Sequence, residues 1–124
     1  MKVLIVDDDE FLLEMYSIKF RESGFTVDAA QNGEEALEKA KAVSPDVILL
    51  DVVMPKMDGF DVLRNLRKDN IASGAVVLLL TNLGQKDDLD RGMKLGATDY
   101  MVKAHYTPSE VVKKVESLLE NRKS

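Results

Sequence analysis

Carboxylates follow two apolar segments of the chain, and their placement suggests a site for metal or phosphate chemistry. Asp51 comes directly after the apolar residues 47–50, and Asp7 and Asp8 come directly after residues 3–6. Four consecutive apolar residues leave no polar face, which is typical of a strand buried in a sheet. The carboxyl ends of parallel strands lie at one edge of an open α/β sheet, where such folds bind ligands. If the two strands are parallel neighbours, three carboxylates meet at that edge.

A cluster of three carboxylates would favour a bound cation. Like charges that lie close together raise one another's pKa, and a divalent cation with oxygen ligands relieves that repulsion. Mg²⁺ suits a site with few carboxylates, because it keeps several of its waters. In the structural alternative, Asp7, Asp8 and Asp9 form a solvated turn and Asp51 caps a helix.

Two further strand-like segments are followed by a hydroxyl and an ammonium group. Thr81 follows the apolar residues 76–80, and Lys103 follows residues 99–102. Together with a metal and an acceptor carboxylate, these groups suit phosphoryl transfer, because cations offset the charge on the phosphoryl oxygens and a hydroxyl orients one of them. The carboxylate would become an acyl phosphate. In the structural alternative, Thr81 caps a helix and Lys103 is a solvated loop lysine.

Strand-like segments alternate with amphipathic helical segments along the chain. Helical patterns such as the apolar stripe Phe11, Met15 and Ile18 separate five strand-like runs. Alternating strands and helices with short connections predict a (βα)₅ α/β fold, a parallel sheet covered on both faces. We expect one domain over residues 1–124, with a frayed tail at about residues 121–124. The predicted strands are residues 2–6, 26–30, 47–50, 76–80 and 99–102.

Residue types at two helix starts support this division of the chain. Asp58-Gly59 is interpreted as the cap of the third helix. Thr107 can cap the last helix, and Glu110, three residues later, can complete a capping box.

Composition excludes several other classes of protein. The 124 residues carry a net charge of −5 and no cysteine, so disulfides and thiolate metal sites are excluded. The 17 lysines and arginines are scattered, whereas nucleic-acid binding usually needs a basic stripe, so no direct nucleic-acid contact is expected. No apolar run approaches the roughly 18 residues that cross a membrane. We therefore expect no membrane insertion and a cytoplasmic location.

Six short motifs occur in a definite order along the chain. They are Val6-Asp7-Asp8, Leu50-Asp51-Val52-Val53-Met54-Pro55, Met57-Asp58-Gly59, Leu80-Thr81, Gly96-Ala97-Thr98-Asp99-Tyr100 and Lys103. In order and spacing they resemble the response-regulator receiver domains of two-component signalling, and the resemblance covers essentially the whole chain. It implies the flavodoxin-like fold, a doubly wound sandwich with strand order 2-1-3-4-5. That order is taken from the family, because the sequence pattern alone does not establish it.

The resemblance implies a role for each residue of the predicted site. Asp51 would be the phosphoacceptor, and Lys103 would contact the phosphoryl group. Thr81 would turn inward to hydrogen-bond that group, and Tyr100 would be the switch aromatic that moves inward with Thr81. The implied ligands of Mg²⁺, for which Mn²⁺ could substitute, are Asp7, Asp8, Asp51 and the backbone carbonyl of Val53.

The resemblance also implies partners. A histidine kinase or a phosphotransfer protein would supply the phosphoryl group. The fourth helix, the fifth strand and the fifth helix, at about residues 85–119, would form the output face that binds a downstream protein. A phosphorylation-linked homodimer is a further expectation.

The chain departs from the family at several positions. The family's lysine precedes a proline in a cis peptide bond, whereas Lys103 precedes Ala104. A cis bond to a residue other than proline costs about 2.5–4 kcal/mol, so a trans bond is expected. Val53 and Leu83 are apolar at positions that border the path of the hydrolytic water in the family, which predicts a long-lived acyl phosphate. Gly92 lies within the fourth helix and predicts that this helix is the softest.

We interpret the chain as a stand-alone receiver module that acts as a signalling switch and not as a metabolic enzyme. It would phosphorylate itself from small donors and slowly dephosphorylate itself. One alternative is a phosphorylation-independent interaction module of the same fold. A second is a Mg²⁺-dependent phosphatase that forms an aspartyl phosphate. Such a phosphatase needs another carboxylate close behind the nucleophile, where this chain has Val52 and Val53.

Overall fold

The computed structural model describes residues 1–82 and 86–122, excluding the side chains of residues 86 and 87. Within these residues, five strands alternate with five α-helices, and one 3₁₀ turn, Lys103–His105, precedes the last helix. The strands are β1 (Lys2–Val6), β2 (Thr26–Ala30), β3 (Val47–Asp51), β4 (Val76–Thr81) and β5 (Asp99–Val102). The helices are α1 (Glu10–Glu22), α2 (Gly33–Val43), α3 (Gly59–Lys68), α4 (Lys86–Lys94) and α5 (Pro108–Arg122).

The five strands form one parallel sheet in the order β2-β1-β3-β4-β5. The predicted (βα)₅ fold and strand order are thus confirmed. Strands β1, β3 and β4 occupy the centre, and nearly all of their residues are buried, as continuous apolar runs require. The register places Val6 beside Leu50 and Asp51 beside Leu80, so these three strands end at the same edge.

Side chains of each central strand alternate between two apolar cores. Leu4 and Val6 pack with residues of α2 and α3 on one face of the sheet. Val3 and Ile5 pack with residues of α1 and α5 on the other face. No helix among the described residues is long and apolar enough to cross a membrane.

Side-chain caps define two of the helix starts. The Asp58 carboxylate accepts a hydrogen bond from the Asp61 backbone, and the Asp61 carboxylate accepts one from the Asp58 backbone. At the start of α5, the Thr107 N–H donates to Glu110 Oε1 at 2.9 Å, and the Glu110 N–H donates to Thr107 Oγ1 at 3.2 Å. Both caps predicted from the sequence are therefore present.

The last helix is longer than predicted. Helix α5 continues through Arg122, two residues into the segment that was expected to fray. The Arg122 guanidinium donates to the carbonyl oxygens of Asp46 and Gly74 at 3.1 and 3.0 Å. These contacts link the helix end to the loops before β3 and β4, which explains its order.

Helix α4 lies close to β4 and α3 because of its glycine. A Cβ at Gly92 would overlap Leu79 Cδ1 and lie 3.4 Å from Phe60 Cε1. The neighbouring Arg91 guanidinium lies 4.6 Å from the centroid of the Phe60 ring. Gly92 thus has a packing function that helix propensity alone did not reveal, and the softness of α4 stays a prediction.

Candidate functional site

Buried polar side chains are concentrated at the carboxyl edge of the sheet. Asp7, Asp51 and Thr81 are each 5% exposed or less, and each lies at the end of a central strand. Among the described residues, the other buried polar side chain is Ser17, whose hydroxyl donates to the Leu13 carbonyl within α1. A buried charge is costly unless it is paired and hydrogen-bonded. The two buried carboxylates at this edge therefore require partners.

Asp51 is the last residue of β3, and the segment after it holds its backbone. The Val52 N–H donates to the Leu80 carbonyl at 2.9 Å, and the Val53 N–H donates to Asp51 Oδ1 at 3.3 Å. Gly59 packs so tightly that a Cβ there would lie 2.5 Å from the Asp51 carbonyl oxygen. Glycine at this position therefore lets the first turn of α3 approach the end of β3.

The acidic pair Asp7 and Asp8 follows β1, the neighbouring strand. Asp7 is buried, and its Oδ1 accepts a hydrogen bond from the Asp9 N–H at 2.9 Å, whereas Asp8 is exposed. One carboxylate oxygen from each of Asp7, Asp8 and Asp51 lies within 4.8 Å of the others. The three carboxylates named from the sequence therefore meet at one edge of the sheet, and Asp9 caps α1 instead.

Lys103 lies between the two buried carboxylates. Its Nζ is 2.8 Å from Asp7 Oδ2 and 3.1 Å from Asp51 Oδ2, and its side chain is 11% exposed. It occupies the first position of the 3₁₀ turn after β5, and none of the described peptide bonds is cis. The expected trans bond to Ala104 is thus confirmed. The lysine reaches the acidic cluster from this turn, so it is not a solvated loop lysine.

The electrostatics of the site follow from burial. Burial raises the pKa of Asp51 to about 6, the Lys103 ammonium opposes this shift, and the Asp7 carboxylate adds to it. Burial lowers the pKa of Lys103, but its contacts with the two carboxylates outweigh this effect and raise that pKa above 10.5. At neutral pH the lysine is therefore charged, and Asp51 is ionised.

Thr81 and Tyr100 occupy different environments. Thr81 is the last residue of β4 and is 5% exposed, whereas Tyr100 lies on the neighbouring β5 and is 37% exposed. Tyr100 is therefore not a static core residue. The β4–β5 register pairs Leu79 with Tyr100 and Thr81 with Val102. A cap of α4 by Thr81 would involve residues 83–85, which lie outside the described residues.

Tyr16 of α1 is a neighbour of the site that the sequence analysis did not identify as one. It is 3% exposed and packs in the core between the sheet and the layer of α1 and α5. Burial raises the pKa of its phenol; Lys103 opposes the shift, and Asp7 and Asp51 add to it. A tyrosine on the buried face of α1 was the available signal, but its proximity to the charges depends on the fold.

The donor set at the edge fits a hard divalent cation. Asp7, Asp8 and Asp51 offer oxygen atoms only, and their separation within 4.8 Å is compatible with one small ion. Two of the carboxylates are buried and one is exposed, which leaves a solvent side for retained waters.

Replacing the buried Asp51 carboxylate should stabilise the metal-free protein. In EDTA at pH 7.5, Asp51→Asn is expected to raise the free energy of unfolding by about 1–3 kcal/mol. The carboxyl has a pKa of about 6 when folded against 3.8 ordinarily, so the contribution of this group to stability falls as pH rises from about 4 to about 6. The difference should therefore be small at pH 4 and complete above about pH 6.

Urea unfolding over this pH range measures the effect. The exposed Asp90→Asn variant controls for the loss of one negative charge. A variant at residue 51 that is less stable than the wild type at pH 7.5 would contradict this electrostatic account.

Comparisons with known proteins agree with this architecture. A family model described as the response regulator receiver domain matches residues 3–116. The chain is 40% identical over 118 residues to the alkaline phosphatase synthesis transcriptional regulatory protein PhoP of Bacillus subtilis, and 38% identical over 118 residues to the DNA-binding response regulator MtrA of Mycolicibacterium smegmatis. These alignments cover 95% of this chain and 48% and 50% of the relatives. The chain thus spans about half the length of these two curated relatives.

Solved structures share the fold over nearly the whole chain. The chemotaxis protein CheY4 of Vibrio cholerae matches with a TM-score of 0.88 at 33% identity, covering 94% of this chain and 97% of that one. A chain of the CheX-CheY-BeF3-Mg²⁺ complex from Borrelia burgdorferi matches with a TM-score of 0.87 at 33% identity, covering 95% and 88%. Since the family model covers most of the sequence and the fold agrees, the chain belongs to the response-regulator receiver domain family, whose members are signalling switches.

Proposed function

We propose that this chain is a phosphorylation switch in which Asp51 accepts a phosphoryl group from a phosphohistidine donor. The observation that carries the proposal is the contact of buried Asp51 with Lys103, beside the acidic pair that follows β1. Asp7, Asp8, Asp51 and the backbone carbonyl of Val53 are assigned as the protein ligands of Mg²⁺. Bound Mg²⁺ would supply positive charge to the phosphoryl oxygens. The relative crystallised with BeF3 and Mg²⁺ supports this assignment.

The proposed reaction uses Asp51 as a nucleophile. Above about pH 6 its carboxylate is ionised, so an oxygen can attack phosphorus while the bond to the donor's leaving group breaks. The product is an acyl phosphate. Lys103, 3.1 Å from Asp51 Oδ2, is placed to contact the transferred group through its ammonium.

The switch is assigned to the ends of β4 and β5. In the proposed phosphorylated state, the Thr81 hydroxyl donates to a phosphoryl oxygen, and the exposed Tyr100 ring moves inward. Phosphorylation then shifts the population between two arrangements of α4, β5 and α5, the proposed output face for a downstream protein. Of residues 85–119 assigned to this face, Gln85 lies outside the described residues.

An exposed apolar stripe on α1 is the proposed docking surface for the donor protein. Phe11 is 71% exposed, Ile18 is 43% exposed, and the half-buried Met15 lies between them at helical spacing. Phe11 is in the first turn of α1, three residues after Asp8. A protein that brings phosphohistidine to Asp51 must cover this part of the surface, and an apolar helix stripe fits a helical partner.

Mass spectrometry tests the central proposal. Incubation with Mg²⁺ and acetyl phosphate is expected to add one phosphoryl group, because the carboxylate, the proposed cation ligands and the ammonium lie together. Mn²⁺ is expected to support the same addition, whereas Asp51→Asn and metal-free samples should give none. Absence of an adduct in the wild type would favour the phosphorylation-independent interaction module. Light scattering on the same samples tests the proposed phosphorylation-linked homodimer.

The phosphorylated state is expected to be long-lived. The Val53 side chain is 58% exposed beside Asp51 and presents no group that could orient an attacking water. Val53→Asn should therefore speed loss of the phosphoryl group severalfold after the donor is removed, as followed by intact mass. Decay in the wild type as fast as in the variant would contradict this role. Leu83, the second apolar residue predicted to slow hydrolysis, lies outside the described residues.

Docking on α1 predicts a donor-specific defect. Phe11→Ala should lower the rate of transfer from a phosphohistidine protein about tenfold relative to the rate from acetyl phosphate, as for a typical interface hot spot. Rapid-quench transfer from a phosphotransfer domain that phosphorylates the wild type measures this ratio. Glu38→Ala, an exposed change on α2, is the matched control. An unchanged ratio for Phe11→Ala would place the docking surface elsewhere.

A further inference from the structure

A groove of about 290 Å³ opens beside the carboxyl edge of the sheet, between the segment after β3 and helix α4. Most of its wall is apolar, and the site chemistry described above uses none of these apolar side chains to bind a ligand. Phe60 and Leu79 are buried in the wall, whereas Leu89 of α4 is half-buried. The apolar lining residues are Val52, Val53, Phe60, Leu79 and Leu89.

Two lining residues connect the groove with the acceptor site. Val53 lines the groove, and its N–H donates to Asp51 Oδ1 at 3.3 Å. Thr81 lines it from the next strand, directly after Leu80, which pairs with Asp51 in the sheet. When the phosphorus atom of a donor lies at Asp51, the rest of the donor can therefore extend from Asp51 into the apolar groove.

The polar groups of the groove restrict what can enter. Its polar lining residues are Thr81, Asn82 and Asp88. The side-chain amide of Asn82 can donate a hydrogen bond to a carboxylate that leaves from phosphorus. The carboxylate of Asp88 disfavours a second negative charge on the part of the ligand that enters the groove. This combination suits an uncharged hydrocarbon group that ends in a carboxyl oxygen.

We propose that the groove binds the acyl group of an acyl phosphate, and that the chain prefers donors with acyl groups longer than acetyl. This inference rests on the proposed role of Asp51 as phosphoacceptor. In the reaction an Asp51 carboxylate oxygen forms a bond to phosphorus, and the bond between phosphorus and the acyl oxygen breaks. The electron pair leaves on the fatty-acid carboxylate, so no proton transfer or co-reactant is needed.

The preference follows from apolar burial. An acetyl group has one methyl to place in the groove, whereas a butyryl group has two more methylenes. Burial of each methylene favours binding by about fourfold at most. Acetate and butyrate are similar leaving groups, so a difference between their acyl phosphates reports contact with the groove.

The experiment compares initial rates of phosphorylation of the full chain with acetyl, propionyl and butyryl phosphate at fixed Mg²⁺. Phosphoramidate, which has no acyl group, is the reference donor, and each rate is divided by the phosphoramidate rate. At donor concentrations well below KM, we expect the normalised rate to rise about threefold for each added methylene. A flat series, with phosphoramidate active, would overturn the groove proposal and leave the proposed function intact. A chain that accepts phosphate from none of these donors would contradict the proposed function and the groove proposal together.

A pair of variants on α4 locates the effect. Leu89→Gln places a polar group in the groove wall and should reduce the butyryl-to-acetyl preference at least threefold. Met93→Gln makes the same kind of change on an exposed part of α4 outside the groove lining and should keep the wild-type preference. Equal preferences in the two variants would overturn the assignment of this groove as the acyl site.

Discussion

The structure depends on one electrostatic constraint, the burial of two carboxylates at the edge of a parallel sheet. Asp7 and Asp51 are almost fully buried, and burial, together with repulsion from the Asp7 carboxylate, disfavours the ionised form of Asp51. Lys103 offsets this repulsion by contacting both carboxylates with one ammonium group. The site therefore holds its groups close together at a cost in stability, and an additional cation or a phosphoryl group would change that balance.

The scaffold places these charges through ordinary packing. The central strands are buried on both faces, so their direction and register determine where their last side chains lie. Gly59 allows the first turn of α3 to approach the Asp51 backbone, and the Asp58–Asp61 capping box holds that turn. Lys103 reaches the two carboxylates from the 3₁₀ turn that follows β5, in which the peptide bonds are trans. Polar groups from several elements and from the connections that follow them thus converge at one edge of the sheet.

The side of the site that faces α4 is mainly apolar, in contrast to the charged edge formed by Asp7, Asp51 and Lys103. Gly92 permits close contact with Leu79 and Phe60, while an apolar groove opens nearby between α4 and the segment after β3. The groove and the exposed stripe on α1 are the surfaces proposed here to contact an acyl phosphate and a donor protein.

The sequence by itself determined the order of the elements, the buried strands and the residue types at the ends of those strands. Continuous apolar runs predict buried parallel strands because they leave no polar face, and Asp7, Asp51, Thr81 and Lys103 were named from that pattern. The strand order came from family resemblance, since hydrophobic periodicity says nothing about which strands are neighbours. Only the tertiary structure decided that Lys103 bridges Asp7 and Asp51. It also decided that Tyr16 interacts electrostatically with these three charged groups, and that Gly92 packs against Leu79. These features involve residues far apart in the chain, and they depend on distances of a few ångströms that spacing along a sequence does not contain.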